Sequence, residues 1–257
     1  MFTPFDKIQD YNILVIGDIM LDKYIYGKCH RISPEAPVSV VLSEKIENVL
    51  GGPANVAANI SALGAGVTLI GSIGDDQNGI ALIELLQKHS IEHEYILKTA
   101  RPTTTKMRVV AKGQQMLRVD EEDNRDLGIQ DELLLSEHIE TALTKGKYKG
   151  IILQDYNKGV LSTSMIKRLI SLAKREHIPL FVDPKYNNFW EYEEAVLFKP
   201  NLNEIKAAIP AFDEFTLDEI LIRSAQKLNC ELLMCTMAEN GIAYVENGVV
   251  HYQSTQK

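Results

Sequence analysis

The chain is poor in cysteine, carries no long apolar run and has no excess of basic charge. Its 257 residues include only Cys29, Cys230 and Cys235. They lack metal-ligand spacing and cannot all pair, which argues against a disulfide framework or a zinc site and fits a reducing compartment. Cys230 and Cys235 instead suit the flank and interior of a buried strand. No segment is apolar enough to span a membrane. Asp6, Lys7 and Asp10 precede the short run at 13–16, a pattern too charged for a secretory signal. The expectation is a cytoplasmic protein without a membrane partner. Lys and Arg number 27 against 35 Asp and Glu, a net charge of −8. No basic face wide enough to track a nucleic acid is expected, although a local basic pocket is compatible with this balance. A G-x-x-x-x-G-K-[ST] loop is absent, and no G-x-G-x-x-G follows the first apolar run. This argues against a P-loop enzyme and against a typical dinucleotide oxidoreductase.

What is present is the balance of an ordinary globular protein, 45% hydrophobic and 24% charged. The length suits one large domain or two small ones. Apolar runs at 13–16, 67–73, 150–153, 179–182, 195–198 and 232–236 read as buried strands. Helical patterns lie between them, at 80–88, from a cap among Ser162, Thr163 and Ser164 through Ala173, and from the capping box of Thr216 and Glu219. Continuous apolar strands alternating with helices indicate an α/β protein, with a mostly parallel sheet covered on both faces. Glu246-Asn247-Gly248 between two short apolar runs is a hairpin signal. Two stretches break the pattern, at 24–42 and 103–120. Both alternate polar and apolar residues, the second around Lys112-Gly113, and together they predict a small sheet apart from the core.

Polar residues gather where the predicted strands end. They are Asp18 with Asp22, Asp155 with Lys158, Asp183 with Lys185, Asn201 with Glu204, and Thr236 with Glu239. One Asp after a strand is usually a cap or turn former. The repetition points to a site, because ligands of open α/β sheets bind beyond the carboxyl ends of the strands. The residue types suit phosphoryl transfer: carboxylates and Asn to serve Mg²⁺, cations to neutralise phosphate.

Gly51-Gly52-Pro53-Ala54-Asn55 opens a helix whose apolar face is expected to run through Val56, Ala57, Ile60 and Leu63, with Gly64 as its stop. It reads either as a tight strand-to-helix turn or as a cradle for sugar hydroxyls or phosphate. Lys106 and Arg108 share one face of the predicted hairpin, and Arg118 can face them across the turn. They read either as a solvated edge that blocks aggregation or as a phosphate pocket. His30, His89 and His93 show no partner spacing.

These residues together resemble the ribokinase-like, or pfkB, carbohydrate kinases. The resemblance rests on Gly51-Gly52 with Asn55, on Asp22, on Asn201-x-x-Glu204 and on Thr236 through Gly241. More specifically, 17–22 running on to 31–38, Thr105-Lys106-Met107-Arg108, Asp155-Tyr156-Asn157-Lys158-Gly159 and Asp183-Pro184-Lys185 resemble the kinase half of the bacterial heptose kinase/adenylyltransferase family. The resemblance implies a doubly wound core with a β-lid formed by 24–42 and 103–120, and homodimerisation through the lids. It implies ATP and Mg²⁺, and D-glycero-β-D-manno-heptose 7-phosphate as the sugar phosphorylated on the way to ADP-heptose and lipopolysaccharide. Asp22, Gly51, Gly52 and Asn55 match sugar-contacting positions. Asn201 and Glu204 match positions serving Mg²⁺ and phosphate, Glu204 for the metal. Thr236 and Gly241 match nucleotide-binding positions, with Glu239 between them.

Lys106, Arg108, Arg118, Lys158 and Lys185 are candidates for the 7-phosphate. Asp155 and Asp183 are candidates for sugar hydroxyls or metal. The family's Asp-Thr-x-Gly-Ala-Gly-Asp signature, which supplies the general base and the anion hole, does not occur among the 257 residues. The expectation is therefore a single kinase domain over 1–257 that is incomplete at its C-terminal end. Its base lies beyond Lys257, and the chain is inactive as it stands. The alternatives are a kinase of another sugar and a non-catalytic sugar-phosphate-binding protein.

Overall fold

The computed structural model describes residues 4–210 and 212–255. β1 (Asn12–Gly17) is the first apolar run and is buried over its last four residues. The chain then forms a long hairpin, β2 (Met20–Ile32) and β3 (Ser39–Gly51). α1 (Pro53–Ala62) leads to β4 (Gly66–Ile70) and the short β5 (Ser72–Gly74). α2 (Gln77–Lys88) follows, capped by the Asp76 side chain, and then β6 (Leu97–Thr99). A second hairpin, β7 (Thr105–Ala111) and β8 (Gln114–Glu121), precedes α3 (Ile129–Lys145). β9 (Gly150–Gln154), α4 (Thr163–Arg175), β10 (Leu180–Asp183) and β11 (Leu197–Phe198) continue the alternation, with Ser162 capping α4. α5 (Leu202–Ala208) and α6 (Leu217–Leu228) both open on capping boxes. β12 (Leu232–Thr236), β13 (Ile242–Glu246) and β14 (Val249–Gln253) complete the described chain.

The main sheet has eight strands in the order β14-β13-β12-β11-β10-β9-β1-β4. Pairing is parallel from β4 to β12, and β13 and β14 are antiparallel. The β13–β14 turn places Asn247 at φ 52° and Gly248 at φ 76°. Two left-handed residues match the twist of a two-residue hairpin.

One face of this sheet is packed by α3, α4 and α6 around Leu14, Ile16, Ile151, Leu153, Val182, Phe198, Leu233 and Val245. The other is packed by α1 and α2 around Val15, Val67, Leu69, Ala54, Ala57 and Leu82, at the β1–β4 end alone. From β10 to β13 the second face consists of Phe181, Leu197, Leu232, Met234, Ile242 and Tyr244, all half-buried. No helix among the described residues covers it.

The alternating stretches form a separate four-stranded sheet, β3-β2-β7-β8, with β2 and β7 parallel and both hairpins antiparallel. It is larger than 24–42 and 103–120 suggest, because β2 starts at Met20 and β3 runs on to Gly51. Three other expectations need correction. The run at 67–73 is broken at Gly71, where a Cβ would sit 2.3 Å from the Gly17 carbonyl oxygen. α1 buries Pro53, Ala54 and Ala57, whereas Leu63 is 55% exposed, so the inward face lies one turn earlier than the Val56–Leu63 stripe implies. Within the run at 195–198 only Leu197 and Phe198 form a strand, although Val196 also makes backbone hydrogen bonds to Leu180 and Leu232.

Candidate functional site

Strand order reverses at β1, which has β4 on one side and β9 on the other, so the crevice opens between the ends of β1 and β9. Asp18 and Asp155 stand there, and both are buried. Asp18 accepts hydrogen bonds from the backbone N–H groups of Tyr156 (2.8 Å), Lys158 (3.1 Å) and Val160 (3.0 Å). Burial raises its pKa, and those three donors oppose the rise. Asp155 accepts from the Asn157 N–H at 2.7 Å and the Tyr192 hydroxyl at 2.8 Å. Burial, with the Asp18 charge adding to it, pushes Asp155 up to about 6. Asp183, one strand along, accepts from the Gln154 amide at 2.5 Å and lies 3.0 Å from Lys199 Nζ. This buried framework holds the 156–160 loop against the sheet.

At one end of the crevice the small sheet meets α1. Gly51 closes β3 opposite Met20, and a Cβ on it would sit 2.9 Å from Asp22 Oδ2. Gly52 takes φ 53° and ψ −133°, a conformation that suits glycine. Asn55, in the first turn of α1, is exposed. Asp22, Tyr24, Lys106, Arg108, Arg118 and Asp120 share one face of the small sheet by register. Arg108 Nη1 lies 2.5 Å from Asp22 Oδ1, and its guanidinium sits 5.3 Å from the Tyr24 ring centre. Lys106 lies between Asp120 (3.6 Å) and Glu122 (3.7 Å), and Lys158 reaches the same Glu122 at 2.7 Å. Arg118 is half exposed and pairs with Asp120 at 2.9 Å.

The other end lies beyond β10 to β12. The Asn201 side chain accepts from the Glu204 N–H at 2.9 Å, and the Glu204 carboxylate accepts from the Asn201 N–H at 2.8 Å. Glu204 is only 6% exposed, and Lys185 Nζ is bonded to it. Asn201 and Thr236 form an isolated parallel β-bridge, and Thr236 N–H donates to the Pro200 carbonyl at 3.0 Å. Glu239 sits in a short 3₁₀ turn, Ala238–Asn240, and is exposed. Gly241 has φ 88°, and a Cβ there would meet the Gln253 carbonyl oxygen at 2.1 Å. The β13–β14 edge alone therefore accounts for a glycine at this place.

Asp18, Asp155, Asp183, Asn201 and Thr236 thus lie at the carboxyl ends of the main-sheet strands, whereas Asp22 stands within β2 of the small sheet. Arg108 pairs with Asp22, Lys106 and Lys158 share Glu122, and Lys185 is bonded to Glu204. Local patterns do not reveal Tyr156, Tyr192, Glu122 and Lys199 as parts of the site, because their partners lie far along the chain. Tyr192 and Asp155, for example, are 37 residues apart. Among the described residues no group of three or more His, Cys, Asp or Glu could hold a metal ion. An open groove of about 800 Å³ lies at the opposite end of the strands, lined by residues including His93, Tyr95, Lys145 and Tyr148. It shares none of the strand-end carboxylates, and the crevice at the switch point is the better candidate. No helix among the described residues is long and apolar enough to cross a membrane.

Comparison with known proteins agrees with this geometry. The chain is 40% identical over 251 residues to the Bifunctional protein HldE of a Nitratiruptor species, covering 95% of the chain and 52% of that protein. It is 37% identical over 243 residues to the Bifunctional protein HldE of Pasteurella multocida, covering 94% and 50%. The chain therefore spans about half the length of these curated relatives. Phosphofructokinase-2 from Escherichia coli in complex with fructose-6-phosphate superimposes with a TM-score of 0.71 at 18% identity, over 95% of this chain and 79% of that one. A carbohydrate kinase from Agrobacterium tumefaciens gives 0.66 at 16% identity, over 92% and 73%. The fold is that of the ribokinase-like kinases. The model of the pfkB family of carbohydrate kinases matches residues 10–257, and with the strand-end residues in place the chain belongs to that family.

Proposed function

We propose that this chain forms the kinase part of an ATP-dependent enzyme that phosphorylates D-glycero-β-D-manno-heptose 7-phosphate to the 1,7-bisphosphate in the cytoplasm. The observation that carries the reading is the set of cations at the lid end: Arg108 on Asp22 beside the Gly51-Gly52 turn, with Lys106 and Lys158 sharing Glu122. A kinase of an unphosphorylated sugar has no need of three cations at the sugar end. Asp22 and the Gly51-Gly52 turn, with Asn55 beside them, bind sugar hydroxyls, the glycines allowing the ring to approach the backbone. The small sheet acts as the lid, and its cations take the 7-phosphate, Arg108 by a bidentate fork. Asp155 and Asp183 hold the strand-end loops, so that Tyr156 and Lys158 face the cleft. Asn201, Glu204, Thr236, Glu239 and Gly241 serve the nucleotide, with Glu204 near Mg²⁺. Bound MgATP supplies the phosphoryl group. Positioning and charge neutralisation are the protein's share of such a reaction. No residue of this chain is assigned as the general base, and the chain alone is proposed to be catalytically silent.

The opposite face of the lid carries Ile25, Ile46, Met107, Val109, Leu117 and Val119 by register. Ile46 is 58% and Leu117 56% exposed. A second copy of the chain is the proposed cover for this face. Ile46→Asp or Leu117→Asp then converts a dimer to a monomer in sedimentation velocity.

The substrate reading is tested by calorimetric titration with heptose 7-phosphate, unphosphorylated heptose and fructose 6-phosphate. Heptose 7-phosphate is expected to bind at least tenfold more tightly than the other two. Equal affinity for the phosphorylated and unphosphorylated heptose removes the phosphate pocket and favours a kinase of another sugar.

A further inference from the structure

Lys185 follows β10 in the sequence Asp183-Pro184-Lys185, and by type and place it could serve either phosphate-bearing ligand. Its surroundings separate the two choices. Its ammonium is bonded to Glu204, at the start of α5 beyond β11, and lies 5.5 Å from the centre of the Tyr156 ring. The sugar-end cations occupy another place. Arg108 is tied to Asp22, and Lys106 and Lys158 share Glu122. β1, from which the small sheet springs, is three strand spacings from β11, or about 14 Å. Lys185 leans towards β11.

Tyr156 belongs to the loop held by Asp18 and is half-buried. The Lys185 ammonium is held between the Tyr156 ring and Glu204, on the nucleotide side of the proposed crevice.

We propose that Lys185 is a ligand for the terminal phosphates of a nucleoside triphosphate, not for the phosphate of the sugar, and that Tyr156 is the positioning residue that seats it. This rests on the kinase reading of the crevice. A buried Glu204 cannot stand uncompensated, so Lys185 neutralises it before any ligand enters. Its four-carbon stem can then extend to an arriving phosphate without leaving the Tyr156 ring. The ring is the seat, and the hydroxyl is not needed for this role.

The test is calorimetric titration of the protein with MgATP and, separately, with heptose 7-phosphate. Lys185→Met is expected to weaken MgATP binding on the order of 10- to 100-fold, the loss of one charge-assisted contact. Its sugar-phosphate affinity stays within about twofold of the parent. Tyr156→Leu removes the seat but keeps the Lys185–Glu204 charge balance, so it carries the test if Lys185→Met does not fold. It is expected to weaken MgATP binding several-fold, whereas Tyr156→Phe retains parental affinity. Loss of sugar-phosphate binding alone, equal loss of both ligands in Tyr156→Leu, or no change in MgATP affinity overturns the proposal. If the unmutated protein binds MgATP but no sugar phosphate, the substrate reading fails and the assignment of Lys185 stands.

Discussion

Arg108 and Asp22, 86 residues apart in sequence, meet across neighbouring strands of the small sheet at 2.5 Å. Each neutralises the other at the corner where Gly51 makes its closest approach. On the proposed function, a sugar phosphate arriving there finds a guanidinium already oriented by a carboxylate. Arg108→Ala is expected to cost about 1.5–3 kcal/mol of sugar-phosphate binding and to leave MgATP binding nearly unchanged. Arg118→Ala is expected to cost much less, since Arg118 is half exposed and bound to Asp120. Calorimetry with both ligands checks the pair. A larger loss for Arg118 contradicts the assignment of the pocket.

The same corner makes Gly51 intolerant of a side chain. A Cβ would lie 2.8 Å from Met20 Cγ and 2.9 Å from Asp22 Oδ2, so Asp22 must move. Gly51→Ala is expected to lower sugar-phosphate affinity at least tenfold, with a fall in stability of about 1–3 kcal/mol. An alanine variant with parental sugar affinity shows that Asp22 is free to shift.

Asp155 gives the protein a pH signature. Its folded-state pKa, about 6, lies above the ordinary carboxyl value because burial disfavours its charged form. Folding therefore favours the protonated form. That stabilisation is complete below about pH 4 and is lost as pH rises through about 6. Asp155→Asn keeps a partner for Tyr192 and removes the buried charge. Relative to the parent, the variant is expected to gain stability between pH 5 and pH 8. Thermal unfolding at the two pH values measures the gain, and a constant difference contradicts it.

The two faces of the main sheet should respond differently to truncation. Leu233 is fully buried under α6, whereas its neighbour Met234 points to the face that no described helix covers. Leu233→Ala is expected to cost about 2–5 kcal/mol and Met234→Ala well under half of that. Urea unfolding of the two variants compares them. Equal costs mean that the second face is packed by something in solution.

Much of this fold is legible in the sequence because its signals are local. The capping box at Thr216 closes within three residues, the Asn247-Gly248 turn is a dipeptide, and β1 and β12 are continuous apolar runs. α3 is not legible in the same way. It buries Leu135, Ile139, Ala142 and Leu143 but also exposes Ile129, Leu133 and Leu134, and apolar residues on both sides blur the period. The site divides along the same line. Strand-end residues are visible as types, but partners are not. Nothing near Lys185 in sequence indicates that it turns to Glu204, and nothing near Asp155 indicates Tyr192. Side-chain direction at a strand end is set by packing from distant elements.

The carboxylate of Asp18 has a consequence for folding order. It bonds the backbone of a loop 138 to 142 residues further on, at Tyr156, Lys158 and Val160. That loop cannot settle until β9 has docked beside β1, and so much intervening chain makes this a late, entropically costly closure. The strand-end crevice is thus expected to be among the last parts of the molecule to form on refolding. Proteolytic nicking within 156–160, once the chain is native, should require much of the sheet centre to open, so its rate reports on global unfolding and not on local loop motion.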